Sequence, residues 1–274
     1  MIFETSSIHP SALVHPQAEI DGTATVGPFA LIGAHVRLGP QVRVGAHAVI
    51  DGWTQIGAAC TIYPHAALGL APQDLKYQDE PTRLILGQGN TVREFSAFHR
   101  GTVDGGGETI IGDDNFFMAY THVAHDCHVG CGVIMANAAT LGGHVEVGDH
   151  VILGGLAAVH QHTRIGAYAM IGGGAIVVQD VPPYVNVAGN RARMYGLNLI
   201  GLRRRNFSKE TVSALKGVYR LLFRSAGLTM VQRTETARAR WGACPEAEVL
   251  IAFVEASDRG VCQGRWEKRG GLLS

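Results

Sequence analysis

An aliphatic residue returns at every sixth position through most of this chain, and that period decides what it can fold into. The series runs from Ile8 through Val14, Ile20, Val26, Ile32, Leu38, Val44, Ile50, Ile56 and Ile62 to Leu68. It resumes in phase at Leu86, Val92 and Phe98. Shifted by one, it then runs from Ile111 through Phe117, Val123, Val129, Met135, Leu141, Val147, Leu153, Val159, Ile165 and Ile171 to Val177. Of these 26 positions 23 are Ile, Val or Leu and 14 are followed directly by Gly, so chance is not a serious explanation. A period of six is neither that of a helix nor the alternation of a strand. It suits a strand that turns a corner every six residues, with three hexads closing one triangular coil of eighteen. The aliphatic residue then points into the tube. The fifth residue of many hexads is small (Ala12, Ala18, Ala24, Ala30, Cys60, Ala66, Ala139, Ala157, Ala169, Ala175), which suits a second inward position near a corner. Gly after the aliphatic residue is expected to supply unusual corner dihedrals. No single coil can bury its own apolar face, so stability must come from stacking. A sandwich or barrel, with irregular loops, would not hold one register this long.

Composition narrows the function classes. Lys plus Arg and Asp plus Glu both total 23, so bulk charge argues against a dedicated nucleic-acid partner. The 36 glycines follow no collagen period and belong to turns. Five cysteines (Cys60, Cys127, Cys131, Cys244, Cys262) form no paired framework, which suits a reducing compartment, so a cytoplasmic location is expected. Cys127 and Cys131 have no second pair to complete a zinc site. The opening MIFETSSIHP has neither a basic nor an apolar leader segment, so no signal peptide is expected. No run of about 18 apolar residues occurs, so no membrane span is expected.

The register breaks twice, at QDLKYQDEPTRLI (73–85) and near VDGGGETI (103–110), and both breaks read as loops projecting from the coil. It decays after Val177, where Pro182 and Pro183 mark an exit. From Ser208, a candidate N-cap followed by Glu210, the pattern turns helical. Val212, Leu215, Val218, Tyr219 and Leu222 make an apolar stripe, with Gly227 as the stop. Further helices are expected over Met230–Trp241 and Pro245–Ser257, with a loose tail from Gly260. The expected division is a coil over 1–191 and a helical domain over 192–274.

Stacking arithmetic gathers the histidines. Residues eighteen apart share an edge on adjacent coils, so His125, Gly143 and Gln161 form one column and Asp126, His144 and His162 the next. His122, His128 and His160 lie close by in the chain. Such a patch admits general-base catalysis, with a neutral imidazole taking a proton from a hydroxyl and Gly143 offering a backbone N–H to an oxyanion. It equally admits a metal site, as in a metal-dependent lyase of the γ-carbonic-anhydrase kind, or an incidental run of polar corner residues on a non-catalytic scaffold. Arg191, Arg193, Arg203, Arg204, Arg205, Lys209, Lys216, Arg220 and Arg224 make a local basic excess suited to an anionic partner.

These residues together resemble one family. The hexads, QDLKYQDEPTRL, HRGTVDGGGET, THVAHDCHVG, LGGHVEVGD, AVHQ, and QDVPPY followed by GLNLIGLRRRNFS look like UDP-N-acetylglucosamine O-acyltransferases, over residues from about 8 to about 225. The resemblance implies a left-handed parallel β-helix with a C-terminal helical domain, assembled as a homotrimer with sites between subunits. It implies transfer of an (R)-3-hydroxyacyl group from acyl carrier protein to the 3-hydroxyl of UDP-N-acetylglucosamine, the first step of lipid A synthesis, without cofactor or metal. By resemblance His125 is the base, Asp126 orients it, and Gly143 is the oxyanion donor. His122, His144, His160, His99 and Gln161 match positions lining the site. Gln73, Asp74 and Lys76 match loop residues that reach the substrate, and Asn198 and Arg204 match the uridine-diphosphate side. Lys216, Arg220 and Arg224 suit the acidic carrier. Gly173, between its stacking neighbours Gly155 and Arg191, matches a stop in the acyl groove; as Gly it leaves the groove open for a longer chain, with Arg191 placed to close the far end. The chain departs from the family at Ile200, where an acidic residue is usual, and this leaves a 3-amino sugar open as the acceptor.

Overall fold

The structure, a computed structural model, describes residues 8–264. It is a left-handed parallel β-helix followed by four helices. Each hexad supplies a two-residue strand and a corner, as at Leu13–Val14, Glu19–Ile20 and Thr25–Val26. These three strands open three sheets, here the first, second and third, of nine, eight and ten strands. Leu13 pairs with Leu31, Glu19 with Arg37 and Thr25 with Arg43, a constant step of eighteen residues. The aliphatic series from Val26 onward is buried inside the tube, and Ala24, Ala30, Cys60, Ala66, Ala139, Ala157, Ala169 and Ala175 fill the second inward position. Each large aliphatic side chain so buried contributes about 1.5–3 kcal/mol.

The corners correct one expectation. The left-handed residue is the third after the aliphatic one, as at Gln41, His47, Asp126, His144 and His162. Of the glycines that directly follow the aliphatic residue only Gly69, at φ +74°, has such a dihedral, and the others serve close approach instead. A Cβ on Gly154 would lie 2.5 Å from the Gly173 nitrogen, and one on Gly166 would lie 2.4 Å from the Pro183 nitrogen.

Both loops replace the same corner, between the first and second sheets. Across the first loop the step lengthens to thirty, Ala67 pairing with Ala97, and across the second to twenty-five, Ala97 pairing with His122. Strands resume at Arg83 and Glu108, so the loops occupy 71–82 and 100–107 and stop short of the expected ends at 85 and 110.

The last coil departs from the eighteen-residue register. Ile165 bridges to Val181 and Ile171 pairs with Val187, a step of sixteen, because the repeat between Val177 and Val181 keeps only four residues. Gly173 still stacks on Gly155, whose carbonyl accepts from the Gly174 N–H at 2.8 Å. Arg191 does not continue that column. The shortened repeat brings the chain out early, and Gly189 and Ala192 bond to Ile176 on either side of it.

Strand Arg193–Leu197 pairs antiparallel with Val185–Ala188, so the sheet runs past the expected boundary at 191. The helices are α1 (Leu199–Arg204), α2 (Lys209–Arg224), α3 (Met230–Trp241) and α4 (Pro245–Glu255). The sequence pattern did not anticipate α1. Ser208 caps α2 by accepting from the Thr211 N–H, and Leu215, Val218, Tyr219 and Leu222 are buried. α2 ends at Arg224, before Gly227, and α4 ends before Ser257. The segment after α4 is not loose: the Cys262 N–H donates to Asp180 O at 2.8 Å and the Met194 N–H to Gln263 O at 2.9 Å. The rest of the expected tail lies outside the described residues.

Leu141 is fully buried in the middle of the stack. Leu141→Ala is expected to lower stability by about 2–5 kcal/mol in urea unfolding, as a cavity that neighbouring coils cannot close.

Candidate active site

Three coils superpose residues 124–127, 142–145 and 160–163 at the corner between the first and second sheets. The His144 N–H donates to His125 O at 3.0 Å and the His162 N–H to Gly143 O at 2.9 Å, so both expected columns form. The His144 and His162 rings stack at 4.3 Å, and His125 meets His144 edge-on at 5.2 Å.

At the centre is a His–Asp pair. His125 Nδ1 lies 2.7 Å from Asp126 Oδ2. Asp126 Oδ1 accepts from the Thr102 N–H and Oδ2 from the Thr102 hydroxyl, both at 2.7 Å. The Asp126 N–H donates to Thr109 Oγ1 at 2.8 Å. Burial opposes ionisation of Asp126, yet the hydrogen bonds from His125 and Thr102 outweigh it and hold the carboxyl below the ordinary carboxylate range. An ionised carboxylate only accepts, so His125 carries its proton on Nδ1 and leaves the Nε2 lone pair free to act as a base.

The backbone of Gly143 lies over that ring. A Cβ there would sit 2.7 Å from Cε1 and 2.8 Å from Nε2 of His125. Its N–H has no hydrogen-bond acceptor among the described residues, so it is free for an oxyanion.

The loops complete the corner. His99 Nδ1 donates to Ala71 O at 2.7 Å, which leaves its buried Nε2 without a partner among the described residues. Its ring lies 5.3 Å from that of His122. Burial, reinforced by the charges of His99 and His125, pushes His122 down to about 4. Burial also lowers His99, and it lowers His144 despite the opposing charges of Asp126 and Asp74. These three rings are therefore biased toward the neutral form. Asp74 Oδ1 accepts from the Lys76 N–H at 3.0 Å, while Gln73 and Lys76 are exposed on the same loop. Arg100 pins the loop, donating to Tyr77 Oη at 2.8 Å and to Gly69 O at 2.9 Å.

Other expected residues lie elsewhere. Asn198 sits by the corner between the second and third sheets, where it donates to Tyr168 O and caps α1 by accepting from the Gly201 N–H, both at 3.0 Å. Arg204 ends α1, and Ile200 on that helix is 67% exposed. Gly155 and Gly173 occupy the third corner. Lys216 lines a groove of about 730 Å³ between α1 and α2 together with Arg203 and Lys209. Arg220 and Arg224 follow on α2. His160 and Gln161 sit on the coil above Gly143. Thr102, Thr109 and Gly105 were not anticipated; a Cβ on Gly105 would fall 2.0 Å from Asp126 Cγ, so only Gly fits there.

His125, Asp126 and His144 offer ligand atoms within 4.8 Å of one another. Asp126 already accepts three hydrogen bonds, one of them from His125 Nδ1, and a metal would compete with them. The donor set fits an acid–base pair better.

A coil of hexads that carries an oriented imidazole beside a free backbone amide defines an acyltransferase of the hexapeptide-repeat class. Residues 180–262 match the family model described as UDP-N-acetylglucosamine O-acyltransferase, domain 2. The chain is 49% identical over 258 residues to the acyl-[acyl-carrier-protein]–UDP-N-acetylglucosamine O-acyltransferase of Thermodesulfovibrio yellowstonii, covering 94% of this chain and all of that one. The crystal structure of LpxA from Acinetobacter baumannii superposes with a TM-score of 0.91 at 41% identity, covering 94% of this chain and 100% of the other. That of UDP-N-acetylglucosamine O-acyltransferase from Moraxella catarrhalis gives 0.90 at 38%, with the same coverages. The chain belongs to the UDP-N-acetylglucosamine O-acyltransferase family. The lyase reading falls with this finding.

His122 takes up a proton near pH 4 when folded and near its ordinary value of about 6.5 when unfolded. Between these values the unfolded chain binds more protons, so stability declines as pH falls through this window. His122→Asn is expected to flatten that decline in urea midpoints measured across it; an unchanged slope would contradict a buried neutral ring.

Proposed function

We propose that the protein moves an (R)-3-hydroxyacyl group from acyl carrier protein to the 3-hydroxyl of UDP-N-acetylglucosamine, the first step of lipid A synthesis, with His125 as general base. The observation that carries this reading is the His125–Asp126 pair lying beneath the free Gly143 amide. The names of the relatives supply the donor and acceptor.

In this mechanism His125 Nε2 removes the proton of the sugar hydroxyl as its oxygen attacks the thioester carbonyl carbon. The carbonyl oxygen gains the negative charge and meets the Gly143 N–H. Collapse of the adduct breaks the C–S bond, and the departing thiolate takes the proton back from the imidazolium. Asp126 holds the ring and balances its transient charge, as in other oriented-histidine sites.

Loop residues Gln73, Asp74 and Lys76 are assigned to the substrate, with His99, His122, His144, His160 and Gln161 lining the cleft. Asn198 and Arg204 are assigned to the nucleotide. They stand at a different corner from His125, so one site using both sets has to be assembled from two copies. This supports a homotrimer with sites between subunits. Lys216, Arg220 and Arg224 form the docking face for the acidic carrier. Gly155 and Gly173 leave an open path for the acyl chain, and the shortened last coil removes Arg191 as its end stop. A cytoplasmic location fits the free cysteines. No helix among the described residues is long and apolar enough to cross a membrane.

Ile200 favours a second acceptor as an alternative: an exposed apolar residue where an acidic one is usual in the family removes a charge from the nucleotide-sugar side. Incubation with carrier-bound acyl chains of several lengths and either the 3-hydroxy or the 3-amino UDP-sugar, with products identified by mass, decides both points. An ester product supports the proposal, and an amide as the sole product overturns it. His125→Ala is expected to slow turnover by about 10²–10⁴-fold with the assembly intact. Near-normal turnover would remove His125 as the base. Gly143→Ala, which drives a methyl into the His125 ring, is expected to cut kcat by at least about tenfold without unfolding the coil; unchanged kcat would rule out the assigned geometry.

A further inference from the structure

We infer that Arg259, on the segment after α4, is a positioning residue that fixes His160 as a hydrogen-bond donor in the acyl-transfer site. The inference rests on reading the histidine corner as that site. Beyond α4 the chain crosses back to the end of the coil and is tied to Asp180, which is 2% exposed. Ser257 Oγ donates to Asp180 Oδ2 at 2.8 Å, the Asp180 N–H donates to Gly260 O at 3.1 Å, and the Cys262 N–H donates to Asp180 O at 2.8 Å. The Asp180 carboxylate is itself held by Arg164, through its N–H at 2.9 Å and Nε at 3.1 Å. Arg259 therefore lies between two anchored residues, Ser257 and Gly260.

Its guanidinium comes down on the second coil above the His–Asp pair. One terminal nitrogen lies 3.1 Å from His160 Nδ1 and 3.5 Å from both Thr163 Oγ1 and Val178 O. A guanidinium has no lone pair to offer and keeps its protons, so it can only donate. His160 Nδ1 must then present its lone pair, and the ring proton sits on Nε2. The Gln161 carbonyl, 3.0 Å from the same Nδ1, asks for the opposite tautomer. The charge-assisted contact is the stronger of the two. His160 is thus set opposite to His125: Asp126 leaves His125 a base at Nε2, while Arg259 leaves His160 an N–H at Nε2. Such a donor suits an acceptor oxygen of the bound substrate.

The test uses the full-length protein and steady-state acyl transfer. Arg259→Ala, His160→Ala and the double variant are compared with the parent for kcat, KM and thermal midpoint. Each single change is expected to lower kcat/KM about tenfold, chiefly through KM, with the midpoint unchanged. Adding Arg259→Ala to His160→Ala is expected to cost nothing more, since Arg259 acts only through that ring. Partial recovery in Arg259→Lys, which keeps a charged donor, adds support. Multiplicative losses in the double variant, a thermal midpoint that falls with activity, or full activity in Arg259→Ala each overturn the proposal. Full activity in His160→Ala alone, with His125→Ala inactive, also overturns it while leaving the site assignment standing. Full activity in both histidine variants removes the site reading itself.

Discussion

One backbone turn governs this molecule: the residue three places after most of the inward aliphatics is held near φ +60° in hexad after hexad. For residues with a side chain that conformation costs about 1–2 kcal/mol, and the chain takes it repeatedly. Parallel pairing of each strand with the coils above and below, together with burial of the aliphatic at each step, offsets the strain. No isolated coil could do this. The same turn sets side-chain direction. Asp126, His144 and His162 are all left-handed corner residues, so three polar groups emerge from one edge in line.

The chemistry of that edge follows from how its charges are housed. Asp126 stays ionised in a buried place because Thr102 and His125 satisfy its oxygens, and the ionised form in turn selects the tautomer of His125. The imidazoles of His99, His122 and His144 are pushed toward neutrality by burial, His122 down to about 4. They can therefore offer or accept hydrogen bonds near neutral pH without adding positive charge around His125. An unpaired amide over the ring is a by-product of the corner, where the second residue after the aliphatic has no strand to bond. At Gly143 the missing side chain makes that amide reachable.

Most of the fold was legible because the physics is periodic. Counting by six marks the inward residues, and counting by eighteen puts Gly143 over His125 and His144 over Asp126. The same counting misplaced Arg191, since a four-residue repeat between Val177 and Val181 leaves no trace in composition. It assigned the glycines after the aliphatic to unusual dihedrals, which holds at Gly69, whereas the rest let neighbouring coils approach. Thr102 was hidden because seven inserted residues separate it from the column it serves. Arg259 was hidden for a different reason: its contact spans 99 residues from the segment after α4, whose pattern has no arithmetic relation to the coil. The resemblance named Asn198 and Arg204 but could not say that, within one chain, Asn198 and the helix it caps stand at a different corner from His125.

Both insertions sit at the corner that carries the histidines, while the other two corners keep their six-residue step through the same coils. The core ladders of the third sheet pass the loops undisturbed, Ile62 to Val92 to Phe117. Two of the three edges thus act as a fixed spine, and the remaining edge is free to lengthen. Selection can rewrite the histidine-bearing edge, in length as well as in residue type, without renegotiating the interior. The loops of this edge and the stability of the interior are then separately heritable traits.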